Sequence, residues 1–155
     1  MVSRFFKRGH LNRSQQQKIL KEFGESVLRE APREWVSITY DRESVIDHSS
    51  SLMVVEIENG DIIRSSAPSH TGTLLADLRA GMYKDGKGTW FSMKYVITRP
   101  GRFKVRYNYD DDPNIAFPTA WGFTNDLKYF PRDEEHIPDW LREKLREEAG
   151  GRATE

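Results

Sequence analysis

The sequence predicts an α+β fold, with one antiparallel sheet of about five strands and N-terminal, middle and C-terminal helices in the order αβββαββαα. Two observations predict this class. Apolar residues alternate with polar ones in several short segments, as in half-buried strands, and recur at helical spacing in others. The strand-like segments form a group of three and a group of two, with a helical segment between them. The chain of 155 residues can bury one core, so we expect a single domain over 1–155 with flexible ends at 1–11 and 150–155.

The N-terminal half predicts one helix followed by three strands. Apolar residues recur at helical spacing up to Pro32, which ends the helix. Val36, Ile38 and Tyr40 then alternate with other residues, which predicts a strand that buries these three side chains on one face. The Asn59–Gly60 pair lies between two β-rich runs and predicts a hairpin turn. Three strands are therefore expected before the middle helix.

The middle helix is predicted from a change of period after the third strand. Its apolar stripe consists of Leu74, Leu75, Leu78 and Met82. Gly86 and Gly88 follow this stripe and are available to end the helix. The segment DGKGTW that contains them leads into a strand and not into a helix N-terminus, so it lacks the context of a phosphate-binding loop.

A second hairpin is predicted over residues 90–109. Apolar and aromatic residues alternate on both arms, as Phe91, Met93, Tyr95 and Ile97 on the first and Phe103, Val105, Tyr107 and Tyr109 on the second. The two sets share a face only if the loop has an odd number of residues. A five-residue loop sets Lys94 opposite Arg106, which is unfavourable unless a carboxylate lies nearby. A three-residue loop avoids this conflict but places Arg99 across from Phe103, and we favour the five-residue loop.

Two helices are predicted after this hairpin. Residues 119–130 favour a short helix that is closed by Pro131. Pro138 suits the first turn of the last helix, which the Gly150–Gly151 pair is expected to end. The apolar stripe of that helix consists of Trp140, Leu141 and Leu145.

The composition restricts the classes of function. There is no cysteine, which excludes disulfides and thiolate metal sites. No apolar run approaches the roughly 18 residues of a membrane-spanning helix, and the basic start MVSRFFKRGH is not followed by an apolar stretch of signal-peptide length. We therefore expect a soluble, cytoplasmic protein that has no membrane partner.

The net charge of zero conceals two regions of opposite sign. Residues 1–33 contain eight Lys or Arg against three Glu, whereas residues 110–148 contain eleven Asp or Glu against five Lys or Arg. Such separated charges determine which partners are attracted and how fast they associate. They are equally consistent with solvated helix surfaces that have no partner.

A catalytic constellation is not found in the sequence. His10, His48, His70 and His136 lie far apart and none belongs to a metal-binding spacing such as H-E-x-x-H. Nucleophile-elbow and phosphate-loop motifs are also missing from the sequence. We therefore expect no enzyme activity, no cofactor and no metal.

The alternative is a metal-dependent phosphoester or nucleotide hydrolase that uses the cluster Asp110–Asp112. This cluster lacks the D-x-D-x-D-G spacing of a calcium loop, and adjacent residues at a strand end point to opposite sides. A solvent-facing rim is the reading we favour.

Direct binding to nucleic acid is not expected. Arg102, Lys104 and Arg106 alternate with the aromatic residues of the same strand, whereas single-strand binders expose bases and aromatic rings on one face.

The segments GTWFSMKYVITRPGRFKVRYNYDDDP and LKYFPRDEEHIPDWL resemble the C-terminal part of the YezG-like immunity protein family, bacterial antitoxins encoded beside polymorphic toxins. The matching positions are the strand-end motif Tyr109, Asp110 and Asp111 and the tail motif Ile137, Pro138, Trp140 and Leu141. The resemblance covers a little over a third of the chain and carries no family-wide catalytic residues.

The resemblance implies a protein that neutralises a toxin by binding to it, without catalysis. Members of the family are associated with toxins of type VII-like secretion and related systems, many of them nucleases. The implied partner is a cognate toxin domain, bound by a monomer of this chain as a heterodimer. A scaffold of a secretion apparatus is a further alternative.

An acidic surface suits such a partner, because a nuclease cleft that binds nucleic acid is basic. The candidate contact carboxylates are Asp110, Asp111, Asp112, Asp133, Glu134 and Glu135. The second group, 133–135, has an alternative role in complementing a helix dipole. Trp121 and Phe123 are candidate interface anchors, with core packing as the alternative.

Overall fold

The computed structural model describes residues 7–115 and 118–154, with side chains described as far as residue 151. It confirms the predicted α+β class and the order αβββαββαα. A short 3-10 turn, Glu134–His136, precedes the last helix. The elements are α1 (Arg13–Arg29), β1 (Trp35–Val45), β2 (His48–Ile57), β3 (Ile62–Ser65), α2 (Thr71–Gly81), β4 (Ser92–Thr98), β5 (Arg102–Asn108), α3 (Gly122–Tyr129) and α4 (Asp139–Thr154).

The five strands form one antiparallel sheet in the order β3-β2-β1-β4-β5. The predicted Asn59–Gly60 turn joins β2 to β3, and Gly60 has a positive φ of 91° that suits a residue without a Cβ. Helix α2 connects the edge strand β3 to β4, which pairs with β1 in the middle of the sheet. Strands β3 and β5 are therefore the two edges.

The main core lies between one face of the sheet and the helices α1 and α2. Phe23 of α1 is fully buried and contacts Tyr95 of β4 edge to face, with ring centroids 4.9 Å apart. The Tyr95 hydroxyl donates to the carbonyl of Leu20 at 3.0 Å. A side chain at Gly24 would overlap this hydroxyl, so the close approach of helix and strand requires glycine here.

The register of the β4–β5 hairpin is the one predicted for the five-residue loop. Ile97 pairs with Phe103, and Lys94 lies opposite Arg106. Asp41 of the neighbouring strand supplies the carboxylate that this arrangement needs, 3.4 Å from the Lys94 Nζ. The outermost pair of the ladder is formed by residues 98 and 102, so the connection itself is residues 99–101.

The predicted core face of β1 is wrong at its first residue. Ile38 and Tyr40 are buried as expected, but Val36 is only partly buried and Trp35 takes the core position instead. The cause is a register shift between Trp35 and Ser37, which inserts an extra residue into the strand. Such a bulge reverses the side-chain alternation on one side of it.

The predicted face of β4 is wrong in the same way at Phe91. The Phe91 N–H donates to the Asn108 carbonyl at 2.7 Å, although Asn108 pairs with Ser92 in the ladder. Trp90, not Phe91, therefore joins the main core, with its ring 5.7 Å from that of Tyr107. Phe91 belongs to a second cluster beneath α3 and α4.

Helix α2 ends at Gly81 and not at the predicted glycines. Its C-cap is Met82, and Gly86 and Gly88 belong to the following loop, where both have positive φ angles of 75° and 89°. Helix α4 likewise continues past Gly150, so its predicted end is wrong. A glycine ends a helix where it takes the left-handed conformation just after the last turn. Neither Gly86, which lies beyond the end of α2, nor Gly150, which lies within α4, has this place.

A buried ion pair fixes α3 against α2. The Arg79 guanidinium donates to both carboxylate oxygens of Asp126, at 2.7 and 2.9 Å, and its Nε donates to the Trp90 carbonyl at 2.7 Å. Both side chains are almost completely buried. Each of these two buried charges is thus paired with a charge of the opposite sign.

The two predicted flexible ends are only partly described, because 1–6 and residue 155 lie outside the described residues. Gly9 and Leu11 donate their N–H groups to the carbonyls of Ala80 and Gly81, at 2.9 and 3.1 Å. Among the described residues, no helix has the length and apolar character required to cross a membrane.

Candidate protein-binding surface

The chain turns sharply where β5 ends, and the aspartates lie in this turn. The Asn108 side chain accepts a hydrogen bond from the Asp111 N–H and donates to the Asp111 carbonyl, both at 2.8 Å. The Asp112 carboxylate accepts from the Asn114 N–H at 2.9 Å, and Asn114 has a φ of 51°. The contact between Asp112 and Asn114 is that of an Asx turn, and these local hydrogen bonds together fix the chain at Asp111 and Asp112.

Arg132 holds the end of β5 in place. Only 1% of its side chain is exposed. It donates to the Tyr109 carbonyl at 2.6 Å and to the Asp110 carboxylate at 3.3 Å. It also donates to the carbonyls of Thr89 at 3.2 Å and His136 at 2.9 Å. One buried cation thus connects the loop before β4, the end of β5 and the segment before α4.

The Asp110 carboxylate compensates only part of the cost of burying the Arg132 charge. Burial is the main influence and lowers its pKa, while the Asp110 carboxylate partly opposes this effect. Asp110 is 76% exposed, so the pair lies at the boundary between core and solvent. The guanidinium also lies over the Phe91 ring at 5.0 Å.

Two glycines make room for this arginine and the next residue. A Cβ at Gly88 would overlap the Arg132 guanidinium, and one at Gly86 would overlap the Asp133 carboxylate. The Gly86 carbonyl accepts from the Asp133 N–H at 2.7 Å. The glycines of DGKGTW therefore serve close packing, a role that the sequence analysis does not assign to them.

Trp140 fixes the same strand end from the other side. Its Nε1 donates to the Asp110 carbonyl at 2.6 Å. Its ring meets those of Phe91 and Phe123 edge to face, with centroids 5.3 and 5.6 Å away. The tail motif and the strand-end motif thus form one structural unit.

The acidic residues 133–135 are held near the aspartates 110–112 because Arg132 contacts both segments. Asp133 is the exposed residue that precedes the 3-10 turn, and its side chain does not cap that turn. Glu134 pairs with Arg142 at 2.8 Å while remaining 83% exposed. Glu135 is exposed in the same turn. We call the six carboxylates the acidic rim, which consists of Asp110, Asp111, Asp112, Asp133, Glu134 and Glu135.

The two candidate aromatic anchors occupy different environments. Trp121 is 42% exposed and stands at the N-terminus of α3. Phe123 is only 4% exposed and packs in the second cluster with Phe91 and Leu141. Phe123 is therefore a core residue with no side-chain surface for a partner, which is the alternative stated for it.

The N-terminus of α3 is capped by a residue from another helix. The Glu148 carboxylate accepts from the N–H groups of Phe123 and Thr124, at 3.0 and 2.8 Å, and from the Thr124 hydroxyl at 2.6 Å. This cap holds α3, and with it Trp121, against α4. Glu148 lies 24 residues after Thr124 in the sequence, so no local pattern predicts this cap.

The aspartates are engaged with partners other than each other. Asp110 faces Arg132, and Asp112 accepts from Asn114. Over 7–115 and 118–154, no three His, Asp or Glu side chains are grouped in a way that could hold a metal ion. Arg132 is the principal residue that the sequence analysis missed; a single basic residue between Pro131 and three acids was its only signal.

Neither a scan against protein-family models nor a search of curated proteins finds a significant match to this chain. The resemblance to the YezG-like immunity proteins therefore stays a prediction, resting on the motifs quoted above.

Proposed function

We propose that this chain is an immunity protein that binds and neutralises the toxic domain of a cognate polymorphic toxin. In this proposal it acts in the cytoplasm, as a monomer that forms a heterodimer with the toxin, and uses no cofactor. Type VII-like secretion is the delivery route that the resemblance implies for the toxin. A stoichiometric blocker requires a rigid, complementary surface and no catalytic group.

The acidic rim is the observation that carries the proposal. Arg132 and Trp140 fix its two parts against the core through the end of β5 and the 3-10 turn. In the described part of the chain, the side chains of Asp111, Asp133 and Glu135 form neither an ion pair nor a hydrogen bond. Their full charge is available to a basic partner, and little ordering of the surface is needed when it binds.

The direct test is co-expression with the toxin domain encoded by the adjacent gene. The protein is expected to restore growth and to co-purify with the toxin at equal stoichiometry. Loss of toxicity without a complex would point to another mode of action. Growth arrest that persists, with no complex recovered, would refute the proposal.

Charge reversal tests the role of the rim within this function. Asp111→Lys combined with Glu135→Lys should slow association with the toxin by about tenfold at low salt, because attraction between opposite charges speeds encounter. The difference should shrink at high salt, where charges are screened over shorter distances. Stopped-flow association rates at several salt concentrations measure both effects.

Glu34→Lys combined with Glu58→Lys is the matched control, because it also reverses two charges. Both side chains are exposed at the opposite end of the sheet from the rim, where the Glu58 N–H donates to the Glu34 carbonyl at 2.9 Å. Their reversal should leave the association rate within about twofold of the parent, since distant exposed charges are screened. Equal slowing by both changes would show that only the net charge matters and would remove the rim from the proposal.

A further inference from the structure

A cavity of about 330 Å³ lies between the tip of the β1–β2 hairpin and helix α2. Strands β1 and β2 contribute polar side chains, whereas the apolar lining comes from the end of β1, the hairpin turn and the opposite side. The polar lining includes Arg42, Ser44, His48 and Ser49. The apolar lining includes Val45, Ile46, Ala76, Ala80 and Phe130. The volume is within the range of small-molecule sites.

Arg42 is a half-buried cation in this lining that has no acidic partner among the described residues. Its Nη1 donates to the Tyr40 hydroxyl and its Nε to the Ser44 hydroxyl, both at 3.2 Å. A guanidinium has five N–H donors, so three of them have no acceptor among the described residues. A cation removed in part from water favours an anion as its neighbour.

Two serine hydroxyls lie in the same lining as Arg42. Ser44 and Ser49 stand directly opposite each other in the ladder, and both line the cavity with His48.

Of the two other charged residues that line the cavity, Arg79 is ion-paired and Asp47 is hydrogen-bonded to neutral groups. Arg79 is held by both oxygens of the Asp126 carboxylate. The Asp47 carboxylate accepts from the Asn125 amide at 3.0 Å and from the Thr119 hydroxyl at 3.5 Å, on the α3 side. Within the described chain, Arg42 is therefore the cavity's cation that lacks a counter-ion.

We propose that this cavity binds the oxyanion group, phosphate or carboxylate, of a small molecule. Arg42 supplies the positive charge, the hydroxyls of Ser44 and Ser49 supply hydrogen bonds, and the apolar wall accommodates the rest of the ligand. No residue of the acidic rim lines the cavity. The site is thus independent of the proposed binding of a toxin.

Titration calorimetry and amide NMR shifts of the full chain, with three probes, test the proposal. The probes are inorganic phosphate, phenyl phosphate and benzoate. Saturable binding that shifts the amides of residues 42–49 is the expected result. Tighter binding of phenyl phosphate than of inorganic phosphate assigns the site to an anion on an apolar body, whereas equal affinity assigns it to the free ion.

Variants locate the binding. Arg42→Gln should weaken binding by about tenfold or more, since a hydrogen bond to a charged group is among the stronger ones. Ala76→Leu should abolish it by filling the cavity from α2. Arg106→Gln removes an exposed cation on the outer face of β5 and should change nothing. Ser49→Ala, at an exposed position of β2, should weaken binding moderately.

Three results would overturn the inference. One is the lack of saturable binding by any probe. Another is equal weakening by Arg42→Gln and Arg106→Gln, which indicates general attraction to positive charge. The last is unchanged affinity in Ala76→Leu, provided that its far-ultraviolet circular dichroism and urea midpoint show a folded protein.

Discussion

Arg132 is a single side chain on which the geometry of the acidic rim depends. It offers its donors to three carbonyl groups and one carboxylate from separate segments, and none of these segments is adjacent to it in the sequence except the 3-10 turn. Removing a buried charged donor leaves its acceptors without partners. The side chain therefore contributes to stability and to the shape of the surface together.

Arg132→Met tests this contribution. We expect the free energy of unfolding to fall by about 3 kcal/mol, because buried carbonyls and part of the Asp110 charge lose their donor. Urea denaturation followed by tryptophan fluorescence measures the change. Arg142→Met is the control: its pair with Glu134 is exposed, so its loss should cost less than about 1 kcal/mol. Similar losses in both variants would contradict the role given to Arg132.

At the scale of elements, the sequence was sufficient to predict the type and order of helices and strands. Alternation in residues 90–109 favoured the hairpin register that the structure has but left a second loop length open, because each choice set one charged residue in an unfavourable position. These breaks in the alternation could not be predicted. Trp35 takes the place of Val36 in the main core through a bulge, and Trp90 takes the place of Phe91, which packs in the second cluster instead. The site was predicted as an acidic segment, but its support by Arg132 and Trp140 depends on contacts between distant segments.

The contact between α1 and β4 predicts a change in the free energy of unfolding that is opposite in sign to the one expected from helix propensity. Replacing a helical glycine with alanine usually stabilises by roughly 0.5–1 kcal/mol. Gly24→Ala should instead destabilise by about 1–3 kcal/mol, because its methyl group would displace the buried Tyr95 hydroxyl from Leu20. Gly72→Ala, in α2 with open space around the position, should be neutral or stabilising. Urea midpoints of the two variants compare them, and equal shifts would show that this contact is not tightly packed.

For the whole molecule, the buried tyrosines connect stability to pH. Burial raises the pKa of Tyr95 and of Tyr107 well above the ordinary tyrosine value of about 10. The folded protein then keeps both phenols neutral at a pH where the unfolded chain ionises them. The resulting stabilisation is fully present below about pH 10 and is lost as the pH rises above it.

Tyr107→Phe separates this effect from other alkaline titrations. The Tyr107 hydroxyl is buried and has no hydrogen-bond partner in the part of the chain that the structure describes, so its removal should leave stability at neutral pH within about 1 kcal/mol of the parent, or raise it. Above about pH 10 the variant should lose stability less steeply than the parent, because one phenol fewer ionises on unfolding. Urea midpoints across this range measure both slopes. Parallel curves for the two proteins would contradict the prediction.

The hydrogen bonds of Arg132 also bear on the stage of translation at which the acidic rim is held in place. Its acceptors Thr89 and Tyr109 lie 43 and 23 residues earlier in the chain, and Trp140 follows later still. The chain is synthesised from its N-terminus, so the β4–β5 hairpin emerges before the residues that anchor its end. A nascent chain that has not yet exposed residue 140 has the aspartates of the rim but lacks the contacts that fix them, so under the proposed function the binding surface forms only with the last part of the chain.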